Sequence, residues 1–525
     1  MTQSPPSANR QIAQAAGIVM AAFALANITG LIRQILVSGA FGTGSEIDAY
    51  NAAARIPELL FSLVAGGALA SAFVPTLTGF LTRDDRQGAW FLSSAILNLV
   101  TAILIVASAV GILLAPQLVQ NLLAPGFSPP QQALSTALLR ILLLTPAIFG
   151  VSALAMGVLN AHQKFLLPAL APTMYWLGMI FGVLFLAPGW GIFGLAWGAV
   201  LGALMHLGIQ IPGLRRLPGR RYSLSFGLKF PAVREVGRLM GPRILGAAAV
   251  QINFLVNTII ASGQPQGSLT AITLAWAVMT MPQVVIGQAI AIASLPTFSA
   301  QVALNKLNEM RSSLAATLRA TILLSLPASV GLILLGRPIV SLLFERGRFD
   351  DQSTEMVYWA LIWFSAGLVA HGVVEITSRA FYAQHDTKTP VLIGVGAMAL
   401  NIGLSLALSA WFQELGLPPH GGLALANSVA TTLEMGALLL LMRRRLDGLE
   451  GRAILGGTAQ AAVASLVMGL ALWLWISRVP SDLVALVSIG GVVVGAAVYG
   501  LVVLALGAPE ARQLVQYGGN RLRGN

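Results

Sequence analysis

A few ionisable side chains stand where the surrounding sequence is apolar, and their types and spacing set the chemistry open to this chain. Arg33 lies in an apolar run over 12–40. A guanidinium cannot shed its charge there. Arg55 and Glu58 sit in a second run over 49–81, three residues apart and so on one helical face, and Asp48 stands at its start. A charge inside a membrane-spanning segment costs about 2.5–3.5 kcal/mol on insertion scales, so it faces a cavity or a partner. Two arginines on adjacent helices make a cationic wall suited to phosphate, which guanidinium grips through paired hydrogen bonds. The alternative is a structural Arg55–Glu58 pair with Arg33 snorkelling outward. Further on, Glu375 and Glu434 are candidates for proton or cation coupling, and His371 precedes Glu375 by one helical turn, close enough to share its proton. Helix-packing hydrogen bonds are the competing reading for these three. Arg140 and Arg243 lie near the ends of their runs and are expected to snorkel.

No enzyme signature accompanies these groups. There is no Gly-x-x-x-x-Gly-Lys-Ser/Thr loop for a nucleotide and no His-Glu-x-x-His pair for zinc. Cysteine is absent, which removes disulfides, thiolate metal sites and thiol nucleophiles together. The chain is therefore expected not to be an enzyme and to carry no cofactor or metal. Coupling to the membrane potential, H+ or Na+ is left open.

The elements that position these residues follow from composition. Of 525 residues, 56% are hydrophobic and only 10% charged, with a mean hydropathy of +0.80. A soluble domain carries about 25% charged residues, so a water-soluble globule is excluded, as is a disordered chain. A helix needs about 20 apolar residues to cross the hydrocarbon core. Fourteen such runs are expected, near 12–40, 49–81, 89–115, 133–160, 165–187, 190–211, 236–262, 269–300, 311–335, 354–383, 391–412, 421–443, 456–477 and 483–507. They lack the ten-residue alternation of a membrane barrel, so the fold class is an all-α polytopic membrane protein with fourteen transmembrane helices. Ala24-Leu25-Ala26 looks like a signal-peptide cleavage site, but apolar sequence continues to Ala40, so the first run is expected to be a retained helix.

The net charge of +12 does not indicate nucleic acid, because the charges lie in short loops. With the N-terminus cytoplasmic, 20 of the 31 Lys and Arg residues fall on the cytoplasmic side and four (Arg337, Arg346, Arg348 and Arg478) on the other. That bias places both termini in the cytoplasm and agrees with an even number of spans.

The chain also repeats itself. Phe73-Val74-Pro75-Thr76-Leu77 is echoed by Ser294-Leu295-Pro296-Thr297-Phe298, an offset of 221. Pro125-Gly126-Phe127 returns as Gly347-Arg348-Phe349, and Asn160-Ala161-His162-Gln163-Lys164 with Pro168 returns as Tyr382-Ala383-Gln384-His385-Asp386 with Pro390, both at 222. The expected organisation is a six-helix lobe over 1–211, a basic cytoplasmic linker over 212–235, a second six-helix lobe over 236–443, and two extra helices with a cytoplasmic tail over 444–525. Lobes with an even number of spans have the same topology, as in transporters built from parallel repeats that alternate access to a central cavity. The linker reads equally as amphipathic surface helices near anionic headgroups or as a solvated connection.

Several motifs resemble the MurJ/MviN family: Ala72-Phe73-Val74-Pro75, Ala124-Pro125-Gly126-Phe127, Leu170-Ala171-Pro172-Thr173, Gly241-Pro242, and Arg379-Ala380-Phe381-Tyr382-Ala383 followed by Asp386-Thr387-Lys388-Thr389-Pro390. The resemblance implies a MATE-like fold of the multidrug/oligosaccharidyl-lipid/polysaccharide superfamily. It also implies flipping of lipid II, the undecaprenyl-pyrophosphate-linked peptidoglycan precursor, across the bacterial inner membrane, with membrane lipids and the cell-wall synthesis machinery as neighbours. In the family's first helix two arginines face the cavity; Arg33 matches the second, and Asn27 stands at the first. A sodium site of some members maps onto Asn257, Asn401 and Ser405, which offer oxygen ligands without charge. The last two helices are expected to form a groove for the prenyl tail. A flippase for another polyprenyl-pyrophosphate-linked glycan and an ion-coupled multidrug exporter are the alternatives.

Overall fold

The computed structural model describes residues 8–64 and 68–509. Helices dominate, and no β-strand forms among the described residues. In chain order they are α1 (Ala8–Phe41), α2 (Ser45–Val64), α3 (Ala68–Thr82) and α4 (Arg86–Leu113). Next come α5 (Pro129–Ala161), α6 (Leu166–Trp190), α7 (Ile192–Arg215) and α8 (Pro231–Ser262). Then follow α9 (Ser268–Ala303), α10 (Leu307–Phe344), α11 (Asp351–Ala366) and α12 (Leu368–Ala383). The chain closes with α13 (Lys388–Glu414), α14 (His420–Arg445), α15 (Gly451–Arg478) and α16 (Leu486–Ala505). Among the described residues eleven helices are long and apolar enough to cross a membrane, or twelve if α11 and α12, bent by 45°, form one broken span.

Local chemistry sets the helix ends. The Asp85 carboxylate accepts from the Gly88 amide at 2.8 Å and starts α4, and Asp350 caps α11 through the Ser353 amide at 2.9 Å. Pro231 stands at the first position of α8, where its missing N–H is not needed. Two residues beyond Pro282, α9 carries a π-turn over Val284–Gln288. Such a turn re-satisfies carbonyls that a proline leaves free.

The chain divides into two compact units. One comprises residues 1–266 with Arg346–Arg348, and the other comprises Gly267–Glu345 with residues 349–525. The helix that opens the second sequence repeat, α8, thus packs in the first unit, against α2 and α3.

In the first unit, α6 and α7 meet through glycines. A Cβ on Gly178 would lie 2.2 Å from the Gly202 Cα, and one on Gly198 would lie 2.7 Å from the Gly182 Cα. Without water to drive association, spanning helices pack through such small-residue contacts, which let backbones approach. Phe73, Leu77, Leu92, Leu104 and Leu159 close the core beside them.

In the second unit, Phe298, Leu314, Leu318, Ile376 and Phe381 form the corresponding core. The two C-terminal helices attach to α10 through Leu335, Ala461, Ala464, Met468, Leu472 and Val503. The Tyr499 hydroxyl donates to the Leu323 carbonyl at 2.5 Å.

The connection after α7 departs from both sequence readings. Helix ends at Arg215, and the following residues to Phe230 form neither surface helices nor a detached linker. The Trp90 indole donates to the Pro218 carbonyl at 3.2 Å, and the Asn98 amide donates to the Ser223 and Ser225 carbonyls, each at 2.9 Å, so the segment is tied to α4.

Candidate functional site

The first unit gathers its embedded charges into one cluster. From α1, the Arg33 guanidinium lies over the Trp176 ring of α6, 4.7 Å from its centroid. Gly30, one turn earlier, makes room for that ring: a Cβ there would lie 3.3 Å from the Trp176 Nε1. Tyr50 and Glu58 of α2 and Tyr175 of α6 are close enough to act on the Arg33 charge. The Arg33 Nε is buried and has no hydrogen-bond acceptor among the described residues. A buried donor left unmade costs about 1–3 kcal/mol, more when charged, so an acceptor from outside the protein would be strongly held there.

Arg55 is differently placed. Its Nη1 meets the Glu58 carboxylate at 3.1 Å, and its Nε donates to the Thr258 hydroxyl of α8 at 3.0 Å. Its Cζ sits 5.8 Å from the Phe254 ring centroid. The Arg55–Glu58 pair is therefore present, while Arg33 does not snorkel away from the bundle but stacks on an aromatic face within it. Asp48 is buried, 2% exposed, in the first turn of α2, where the helix dipole favours a carboxylate. Asn27 lies apart from this arrangement: it is exposed on α1, and its amide turns back to the Phe23 carbonyl at 3.0 Å. Behind the cluster, buried Ser152 bonds the His206 Nδ1 at 2.6 Å and accepts from the Gln210 amide at 2.7 Å. Phe149 packs on both Tyr175 and His206, which gives the aromatic wall a rigid backing.

A second cluster occupies the second unit. The Glu375 carboxylate accepts from the Arg379 Nη2 at 2.6 Å, one turn along α12. Arg379 also lies over the Tyr382 ring at 5.6 Å. Glu434 of α14 is near enough to act on Tyr382, and its Oε1 would be 3.3 Å from a Cβ on Gly394. His371 does not share a proton with Glu375: its Nε2 pairs with the Asn427 Oδ1 at 3.1 Å, under the edge of Trp276. The helical spacing was right, but the imidazole points to α14 while the carboxylate turns to Arg379.

The sodium-site residues divide between the units. Asn257 of α8 is in the first and donates to the Asn253 Oδ1 at 3.1 Å. Asn401 and Ser405, one turn apart on α13, are buried in the second at 2% and 0% exposure. The side chain of Arg243 lies outside what is described. The Arg140 Nε donates to the Ile112 carbonyl of α4 at 3.4 Å.

Tyr50, Tyr175, Trp176, Thr258 and Arg379 escaped sequence reasoning. For Arg379 a signal existed, because it follows Glu375 by four residues on one helical face. The aromatic wall had none, since Tyr and Trp near span ends also serve as interface anchors.

The sequence matches the family described as lipid II flippase MurJ over residues 37–493. The chain belongs to the MurJ family. A lipid II flippase MurJ from Burkholderia cenocepacia is 32% identical over 80% of this chain and 82% of its own length. Probable lipid II flippases MurJ from Vibrio cholerae and Rhizobium meliloti are 31% and 30% identical, over 87% and 91% of this chain and 88% and 91% of their own lengths. Among solved structures, a lipid II flippase MurJ in an inward closed conformation superposes with a TM-score of 0.79 at 24% identity, covering 95% of this chain and 99% of that one. An inward-facing multidrug resistance MATE family transporter of the MOP superfamily gives 0.67 at 16% identity, over 83% of this chain and 99% of its own. The MurJ fold is thus shared with a multidrug resistance MATE family transporter. The matched stretch begins just beyond Arg33, so in this MurJ family member the case for that residue rests on its packing.

Proposed function

We propose that this protein is a lipid II flippase of the bacterial inner membrane, carrying the undecaprenyl-pyrophosphate-linked muropeptide from the cytoplasmic to the outer leaflet by alternating access. Family membership supports the substrate. The observation that carries the site is the buried Arg33 Nε without an acceptor among the described residues, on a guanidinium placed over the Trp176 ring. A pyrophosphate oxygen supplies that acceptor, and Arg55, with Thr258 and Glu58 fixing its orientation, supplies the second cationic arm. Asp48 adds a helix-terminal carboxylate to the set, and Asn27, exposed on α1, stands outside it.

The fourteen-span topology adds two segments to the twelve apolar ones. These are α2 with α3, and α8; α2 carries Glu46, Asp48, Arg55 and Glu58, whereas residues 244–262 of α8 carry no Asp, Glu, Lys or Arg. A segment that lines a hydrated path is expected to look like α2. The positive-inside bias puts both termini in the cytoplasm. The repeat is supported by a reciprocal contact. A Cβ on Gly126 would lie 2.4 Å from the Gly263 Cα, just past α8, while one on Gly347 would lie 2.3 Å from the Gly39 carbonyl, near the end of α1. Each glycine of the echoed motif thus docks at the end of the other repeat's first helix. On this reading the lobes span 1–211 and 236–443, joined by 212–235, with 444–525 forming the tail groove. Coupling is assigned to Glu375 and Glu434, with Asn401 and Ser405 of the same unit as oxygen ligands for a cation.

The test is rescue of cells depleted of their lipid II flippase, by wild type and by Arg33→Ala at matched membrane levels. Rescue by wild type alone is expected. A well-expressed wild type that fails to rescue would sink the lipid II assignment. Asn27, at the position of a family arginine, then favours another polyprenyl-pyrophosphate glycan.

A further inference from the structure

The segment between α7 and α8 has a pattern that transport does not use. From Pro218 it runs along α4 past Trp90 to Asn98, eight residues and about 12 Å of helix. The Ser223 amide donates to the Ser94 hydroxyl at 3.2 Å, and the Tyr222 hydroxyl donates to the Asn98 Oδ1 at 2.6 Å. Gly227, at φ 57°, then turns the chain back. A Cβ there would lie 2.7 Å from that of Ala95 and 3.4 Å from the Phe91 ring.

Side chains alternate along this stretch as in a strand. Ser223, Ser225 and Gly227 are partly covered, the two serines and their neighbours being tied to α4. Tyr222, Leu224, Phe226 and Leu228 are exposed by 63%, 88%, 50% and 59%. Arg215, Arg216, Arg220 and Arg221 precede this apolar row and Lys229 and Arg234 follow it. No carboxylate occurs between Asp85 and Glu235, so Arg215, Arg216, Arg220 and Arg221 have none near them in sequence.

An extended segment in water gains nothing from four large apolar side chains in a row. Beside a spanning helix the same row faces lipid, the Pro218, Ser223 and Ser225 carbonyls accept from Trp90 and Asn98, and the cations at its ends meet anionic headgroups. We propose that residues 218–230 form a re-entrant wedge inserted into one bilayer leaflet, with Leu224 at its tip and the flanking arginines on anionic phospholipid. The leaflet is the one on the Arg86 side, cytoplasmic in the orientation proposed above. The wedge rests on the membrane reading but not on the direction or substrate of transport.

Because the chain has no cysteine, a single Leu224→Cys variant takes one environment-sensitive fluorophore. It is measured in full-length protein reconstituted into vesicles of phosphatidylethanolamine and phosphatidylglycerol. Blue-shifted emission is expected, with most of the fluorescence lost to acyl-chain spin-labelled lipid and little to aqueous iodide. An Asp447→Cys label is expected to show the reverse. Quenching by iodide rather than by lipid at Leu224→Cys would overturn the wedge, whether the segment is then solvated or covered by a protein. Replacing phosphatidylglycerol by phosphatidylcholine, or adding Arg220→Gln and Arg221→Gln, is expected to move the label toward water. No movement in either case would overturn the headgroup part. Depth is read identically in either leaflet, so a wrong orientation or a different cargo leaves this outcome unchanged.

Discussion

The two embedded charge clusters share a device and differ in sign. In the first unit, Arg33 and Arg55 outnumber Glu58, and their contacts include an indole, a phenyl ring and a hydroxyl. In the second, Arg379 is paired at 2.6 Å with Glu375, and Glu434 adds a further carboxylate. An aromatic ring steadies a guanidinium in both. The first arrangement leaves the Arg33 Nε without an acceptor among the described residues; in the second the Arg379 Nη2 is paired with Glu375 while its Nε likewise has none, and the carboxylates outnumber the guanidinium.

The largest expected effect separates the clusters directly. Arg33→Ala removes a buried charged contact worth about 2–5 kcal/mol, so transport should fall by about 30-fold or more, read as lipid II reaching the outer leaflet. Arg33→Lys should recover only part of this, because an ammonium lacks the flat stacked fork; full recovery would show that charge alone matters.

Gly202→Val strikes the scaffold instead. Its Cβ would meet the Tyr175 carbonyl at 2.4 Å, so α6 must move and take Tyr175 and Trp176 with it. Overpacking of this kind costs about 1–3 kcal/mol, to be seen as a lower unfolding temperature in detergent together with weaker pyrophosphate binding. A stability loss without a binding loss would detach the aromatic wall from the site.

Glu434→Gln should lower gradient-driven transport several-fold and leave binding of a pyrophosphate ligand unchanged. Equal loss of both would erase the division between the clusters.

The smallest effect lies in the turn beside the second cluster. Asp386 accepts from the Thr389 amide at 3.0 Å, the Thr389 hydroxyl at 2.7 Å and Arg445 at 2.7 Å. These bonds, the Thr389 amide foremost, hold its carboxyl down to about 2. A depressed carboxylate stabilises the fold above its unfolded pKa of about 3.9, and that contribution is lost as pH falls toward the folded value. Asp386→Asn should therefore cost on the order of 1 kcal/mol at neutral pH after solvent screening. The gap to wild type should close as the pH drops from about 4 to about 2, followed by thermal unfolding.

Much of this was legible in the residues. Membrane residence followed from composition, and the all-helical class followed from run length. Arg55 and Glu58 could be paired from a spacing of three because a helix fixes which side chains share a face. Arg33 was conspicuous because its charge is permanent. Local periodicity fails where partners come from distant segments. Trp176 beneath Arg33, Thr258 beneath Arg55 and Asn427 beside His371 are separated from them by 143, 203 and 56 residues. The same limit explains the linker, whose basic residues suggested a membrane surface but whose extended path depends on Asn98 and Trp90 far upstream.

By itself the sequence determined the solvent, the helices, the echoed motifs and which charges must be sheltered. Those are consequences of transfer energies and helical geometry, which act within about 20 residues. Tertiary structure decided which guanidinium is spent on a carboxylate and which keeps an open donor. That outcome depends on the groups that packing brings within 3 Å, and no single segment contains them.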